Sequence, residues 1–360
     1  MKSKFYLATG IVLMLVFVFA FGTAAAQPPQ PCDPAYVVRT GKVFRVSPTG
    51  VDDTANIQCA FDAAIVRGPG TTVWLKSGTF HTAQIVVIDF HGAFKGNGIH
   101  KTEVVNLPNL YVAPDVEAAP PSADHPWPDL FIFIDSDVAL SNMALRIAGQ
   151  NPVTPWYLGD WGPFNEMACI IMFSGTESDA LVSNVSLEGE PMPSSPMGYN
   201  TINGIYFEGY VTAAGANYEP LSGVYSVRGS SFKSMVSSTP VFNLSNASVV
   251  IKHNTYSDVT WAVEDADLVE TAVQIVGNRI ETNDAGVGIF FTNYTLTTDV
   301  DTDYVLRNNI VEGPVGVAMY QTMDAASTCL IKNNNLRWVT DTPIFLGEGA
   351  QACRLVNNHE

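Results

Sequence analysis

Along the C-terminal half of the chain, short apolar runs alternate with single polar residues in one recurring order: apolar, two variable residues, Asn, one variable residue, apolar. The order fits Ile251…Asn254…Tyr256, Ile275…Asn278…Ile280, Val305…Asn308…Ile310 and Ile331…Asn334…Leu336. Leu355…Asn358 starts another copy, and Val227…Ser230…Phe232 has Ser in place of Asn. From Ser230 to Asn358 the spacings are 24, 24, 30, 26 and 24 residues. A second apolar run follows each polar residue: "TPVFNL", "TWAVED", "GVGIFF", "GVAMY", "TPIFL". These runs are too short for helices, rich in Val, Ile, Phe and Tyr, and punctuated by Gly, Asn, Asp and Ser, so they predict strands and turns. A period near 24 residues with two or three short strands predicts stacked coils of an all-β, right-handed parallel β-helix, each coil about 4.8 Å above the last. Asn suits the turn because it tolerates left-handed backbone, and its amide can bond the equivalent Asn of the next coil.

The cysteines test that register. Cys329 and Cys353 each stand five residues before a repeat Asn, so stacking places them in one column, within the Cα range of a disulfide. Cys32 and Cys59 are expected to tie down the N-terminal segment, leaving Cys169 in "MACIIMF" as a buried, unpaired thiol.

Upstream the period loosens. "VALSNMAL" and "ALVSNVSL" are close copies with Asn142 and Asn184, 42 residues apart. Long excursions occupy residues 106–130, 148–166, 190–201 and 211–223. Loops on a rigid solenoid are where a binding face is expected.

Before the coils, "DDTANIQCAFDAAIVRGPGTTVWLKSGTFHTAQIVV" and "GAFKGNGIHKTEV" read as a helix, a strand and a Gly-x-Gly turn. Asp53 or Thr54 can cap a helix over residues 56–66 whose Ile57, Phe61, Ala64 and Ile65 share a face. This segment resembles the opening of the pectate-lyase-like (pectin-lyase-fold) superfamily, and with the coils the resemblance spans roughly residues 37–360. It implies a secreted protein and, for most members, polysaccharide lyase, hydrolase or epimerase activity; others are tailspikes and adhesins. The Asn-Thr-Asp, Gly-His-Gly and Arg-Ile-Lys signatures of the polygalacturonase-like branch are absent, and the Asp52-Asp53 pair belongs to the helix-opening segment, so no catalytic residue carries over.

Composition sharpens the setting. Residues 1–26, with Lys2 and Lys4 before "IVLMLVFVFAFG" and then "TAAAQ", read as a signal peptide cleaved after Ala26. Residues 27–360 are expected to be one β-helix domain, with a cap over 37–105, loop-bearing coils over 106–223 and regular coils over 224–360. Without the signal, 16 Lys and Arg face 35 Asp and Glu, a net charge of −19. That excludes nucleic acid and, once the signal is cleaved, an anionic membrane as partner, and it disfavours a polyanionic glycan unless Ca²⁺ bridges the two.

The candidate chemistry follows from coil geometry. Asp135, Glu208, Glu264 and Asp265 stand at strand ends where paired carboxylates can act as acid and base on a glycosidic bond. Arg228, Lys252 and Lys332 share a column, and such a cation can abstract a uronate proton, with His253 next to Lys252. Trp156, Tyr157, Trp161 and Phe164 crowd one insertion with Asp160, and Tyr199, Tyr210 and Tyr218 sit on its neighbours, a stacking platform for sugars. Asp299, Asp301 and Asp303 in "TTDVDTDY" are a weak Ca²⁺ candidate, without the spacing of an EF-hand loop. "NVS", "NLS", "NAS" and "NYT" match the N-glycosylation pattern. Two functions fit: a secreted polysaccharide-binding or polysaccharide-active protein, and a non-catalytic surface or adhesion protein.

Overall fold

A computed structural model of the chain describes residues 32–107, 129–148, 156–157, 163–164, 169–189, 202–211, 218–292, 301–320, 327–347, 350 and 353–359. From Pro31 onward they belong to one compact unit. Strand alternation and the 24-residue period produce the expected right-handed parallel β-helix, in which every coil crosses three parallel faces.

Face 1 stacks Val43–Val46, Thr71–Leu75, His91–Lys95, the first halves of Asp137–Arg146 and Asp179–Glu188, then Leu221–Arg228, Leu244–Lys252, Thr271–Val276, Thr302–Arg307, Cys329–Lys332 and Arg354–Val356. Face 2 takes Gly78–Thr82, Thr102–Asn106, the second halves of Asp137–Arg146 and Asp179–Glu188, and the first halves of Ser231–Phe242, Thr255–Ala266, Arg279–Thr292, Ile310–Met319 and Asn335–Leu346. Face 3 takes Ile85–Ile88, Asp129–Ile134, Cys169–Ser174, Asn203–Glu208 and the second halves of those same later strands.

Alternate side chains point inward and fill the bore. On face 3 the stack Phe133, Phe173, Phe207 runs along the axis with ring centroids 5.3 and 5.4 Å apart, and Tyr225 of face 1 closes on Phe207 at 4.8 Å. Each such ring, fully buried, contributes about 1.5–3 kcal/mol. The N-terminal end is plugged by α1 (Thr54–Arg67), whose Phe61 meets Phe90 and Phe94 edge-on at 5.2 and 5.0 Å. The helix starts two residues earlier than its apolar pattern suggests, and Asp53 occupies the N-cap position with its carbonyl accepting from Ile57 N–H but no side-chain cap bond. Its carboxylate instead accepts from the backbone N–H of Thr49 and His81, tying the helix entry to face 2.

The turn from face 1 to face 2 divides the work of Asn between two positions. The left-handed residue is Asn142, Asn184, Gly229, His253, Gly277, Asn308, Asn333 or Asn357. From the Ser230 coil onward the residue after it builds the ladder: Ser230, Asn254, Asn278, Asn309, Asn334, Asn358. Asn254 N–H donates to Asn278 Oδ1 (2.9 Å), Asn278 Nδ2 to Asn309 Oδ1 (3.0 Å), Asn309 Nδ2 to Asn334 Oδ1 (3.0 Å) and Asn334 Nδ2 to Asn358 Oδ1 (3.0 Å). Each of these amides from Asn254 on also donates back to a carbonyl of the coil below, as Asn278 does to Ile251. The sequence pattern is therefore off by one in two places. Asn309, not Asn308, is the ladder residue of its coil, because Leu306 and Val311 point inward there. Asn142 and Asn184 belong to the left-handed column, although their own amides meet at 2.7 Å.

Cys329 and Cys353 form a disulfide across adjacent coils, Cα atoms 4.5 Å apart, and Cys32–Cys59 anchors the segment before the first strand to α1. Cys169 is free and buried. Among the described residues no helix is long and apolar enough to cross a membrane.

Candidate functional site

From residue 137 on, the turn between faces 1 and 2 never exceeds two residues, since the ladder tolerates no insertion. The chain lengthens elsewhere. Residues 107–128, 147–168 and 189–202 connect face 2 to face 3, and residues 209–220, 293–301, 320–328 and 347–353 connect face 3 to face 1. Every long excursion thus leaves the solenoid along one of the two borders of face 3. The sequence-predicted aromatic loops fall on both borders. Trp156–Tyr157 pairs with Pro163–Phe164 as an antiparallel hairpin on the face 2 side, and Tyr210–Val211 pairs with Tyr218–Glu219 on the face 1 side. Asp160, Trp161 and Tyr199 lie outside the described residues.

Face 3 itself carries a continuous outer row, one residue per coil: Val86, Ile132, Met172, Tyr206, Pro240, Glu264, Phe290, Ala318, Phe345. On the early coils Ile132, Ile134 and Met172 form a second apolar cluster outside the bore, packed with Val86 and Tyr206. On the later coils the rings touch in sequence. Trp261 stacks on Phe290 (6.0 Å), Phe290 meets Tyr320 (5.8 Å) and Tyr320 meets Phe345 (4.7 Å). Tyr320 is 55% and Phe345 38% exposed. Sequence reasoning passed over this row, although alternation within "GVGIFF" and "TPIFL" marks which ring of each run faces out.

Three titratable groups share the early coils of face 3. Glu208 is partly exposed, yet desolvation of its carboxyl pushes it up to about 8. Asp129, buried at the strand start with Oδ2 unpartnered, is raised by burial and then by the Glu208 charge. The Cys169 thiol is raised by burial and by the Asp129 charge, so it stays protonated. A carboxyl that holds its proton at neutral pH can donate it. Asp129 has no repeat signal, and only its neighbours in space reveal it.

The remaining sequence candidates scatter. Asp265 shares no surface with Glu264: it points inward, between Val241 and Phe291, fully buried with both oxygens unpartnered. Burial and then the Glu264 charge raise its carboxyl far above the ordinary range, so it sits neutral in the core. Asp135 occupies the left-handed corner after its strand and accepts from the Thr176 and Glu177 N–H groups, a turn role. Glu264 lies in the outer row but two residues short of the Glu208 level, because Glu208 is aligned with Phe242 and Ala266. Arg228, Lys252 and Lys332 do share a column, joined by Arg307, but on face 1 at its border with face 2. The length of a face 1 strand, roughly 17 Å, separates that column from the nearest border of face 3. His253 is the left-handed turn residue beside Lys252.

Asp301 and Asp303 line a shallow, open groove of about 540 Å³ with Glu270, where face 3 turns into face 1. Asp303 is committed to the backbone N–H and hydroxyl of Thr328, and among the described residues no cluster of His, Cys, Asp or Glu could hold a metal; Asp299 lies outside them.

Fold and site together define a parallel β-helix protein whose one loop-bordered face bears an aromatic row and desolvated carboxyls. No protein-family model matches the chain, and no curated protein matches it. Among solved structures it is similar to the surface adhesin PfbA of Streptococcus pneumoniae, at 14% identity over 86% of this chain and 81% of that one, with a TM-score of 0.43. The polygalacturonase of Erwinia carotovora matches at 12% identity over 94% and 95%, TM-score 0.40. The A-module of the mannuronan C-5 epimerase AlgE6 of Azotobacter vinelandii matches at 13% over 86% and 96%, TM-score 0.26. With every one of these scores below 0.5, the fold assignment stands on the chain's own strand pairing.

Proposed function

We propose that this is an exported carbohydrate-active protein that binds a polysaccharide along face 3 and acts on it with Glu208 as proton donor. The observation that carries the reading is the convergence of all long insertions on the one face that also holds the aromatic row and a carboxyl raised to about 8. Aromatic rings stack on the apolar faces of pyranoses, and a protonated carboxylic acid donates to a glycosidic oxygen. The hairpin strands Trp156–Tyr157 and Tyr210–Val211 stand on the two borders of this face, and burial keeps Glu208 protonated. Arg228 and Lys252 take no part, being on face 1. Export fits two disulfides, which persist only in an oxidising compartment.

A second reading is favoured by one observation: at the end of the row formed by Phe290, Ala318 and Phe345, with Tyr320 between the two Phe rings, Glu264 is the only aligned carboxyl among the described residues. That stretch can hold a glycan without altering it, as an adhesion surface would. Purified protein and Glu208→Gln, incubated with a glycan panel with and without Ca²⁺, separate the two. New reducing ends or unsaturated products lost at least 100-fold in the variant establish the proton donor. Retention of glycan by both proteins with no product establishes the binding surface, and retention by neither sinks the proposal.

A further inference from the structure

The distribution of cations over the solenoid is one-sided. The chain has 18 Lys and Arg. None of them lies on a face 3 strand, at a turn between faces 3 and 1, or in any insertion bordering face 3. Beyond residues 1–26 they occupy the N-terminal cap, faces 1 and 2, and the turns between these, as in the column Arg228, Lys252, Arg307, Lys332. The only carboxylic acids on the face-3 strands are Asp129, Glu208, Glu264 and Asp265, the first, second and fourth held protonated by burial. A polyanion laid on this face meets no counter-charge, and the net negative charge of the chain repels it. A polycation finds no exposed carboxylate in the described part of the row, because Tyr320, Phe345 and Phe290 carry none and Glu264 is 5% exposed.

We infer that face 3 takes an uncharged linear glycan, not a polyuronate, running parallel to the solenoid axis with about one pyranose per coil. The inference rests on the reading of face 3 as a glycan surface and names the class of glycan. The rings provide the orientation. Phe290, Tyr320 and Phe345 follow one another up the axis in contact at 5.8 and 4.7 Å, across coils about 4.8 Å apart, so a chain crossing the coils meets a ring at each step. A chain laid along a strand instead would meet one ring and then leave the row. Uncharged pyranoses need only stacking and hydroxyl hydrogen bonds, which this surface supplies without a cation.

Affinity electrophoresis tests this, in native gels containing a neutral soluble β-glucan, polygalacturonate, alginate or chitosan, all with EDTA. The neutral glucan is expected to retard the protein in a manner insensitive to salt. Tyr320→Ala and Phe345→Ala are each expected to weaken retardation roughly tenfold, with unchanged thermal unfolding, while Arg307→Ala on face 1 leaves it intact. Retardation by polygalacturonate or alginate but not by the glucan, or salt-sensitive preference for chitosan, overturns the inference while leaving a glycan-binding protein. Retardation by none of the four, nor by any polymer of the wider panel, removes the glycan reading itself.

Discussion

Asn278 shows how much a single side chain can hold. It is fully buried; its Nδ2 donates to Ile251 O and Asn309 Oδ1, and its Oδ1 accepts from Asn254 N–H. Replacing it with Ala removes three bonds and strands the Ile251 carbonyl and the Asn254 N–H without water, while Asn309 Oδ1 keeps the backbone N–H of residue 278. Asn278→Ala is expected to cost about 3–4 kcal/mol, read as a lowered urea midpoint. Gly277→Ala next door is a different experiment, since that residue adopts φ 66° and its added Cβ would press on the His253 ring. The ladder was legible in the sequence because amide stacking demands the same residue each coil. Its register within the 278–309 coil was not, since "RNN" offers two asparagines and only burial of Leu306 and Val311 distinguishes them. Asp265 failed for a related reason. Neighbouring residues of a strand face opposite ways, so "ED" in "TWAVED" cannot be a surface pair.

At the scale of strands and turns, periodicity told where coils begin but not where three faces divide a coil. Insertion edges became visible only once strand pairing fixed the faces, which is why the aromatic insertion and the outer row were not joined in the sequence reading. The cysteine column was legible, because a shared offset from the repeat Asn is a one-dimensional signal of a vertical contact. That cystine closes a 24-residue separation near the C-terminal coils, where strands Cys329–Lys332 and Arg354–Val356 pair. Chain-entropy reasoning assigns such a loop about 3.5 kcal/mol. Cys353→Ser is expected to lose roughly that amount in the unfolding free energy and to expose amides of residues 329–332 to hydrogen exchange first. Equal exchange along the whole ladder would contradict it.

Across the whole molecule, Asp129, Glu208 and Asp265 all have carboxyls raised by burial, and this sets the direction of the pH response. The folded chain holds protons that the unfolded chain has released, so stability falls as pH rises above the ordinary carboxylate range. For Glu208 the loss spans its ordinary value of 4.5 to about 8. The urea midpoint is therefore expected to be higher at pH 5 than at pH 8. Glu208→Gln should flatten that difference, and Asp265→Val, which matches the Val241 beneath it, should flatten it and raise the midpoint at pH 8. A midpoint that climbs from pH 5 to 8 would reverse the sign and refute the assignment of these groups as neutral.

The amide ladder has one further consequence. Because Thr255 rests on Ser231 and Arg279 on Thr255, joining Asn254 directly to Arg279 excises one whole turn and leaves the chain continuing in the same direction from the same point in space. Gene duplication or loss in units of 24 residues would thus lengthen or shorten the molecule without redesigning it, and with it the outer row of face 3. In such an architecture reach is inherited as an integer.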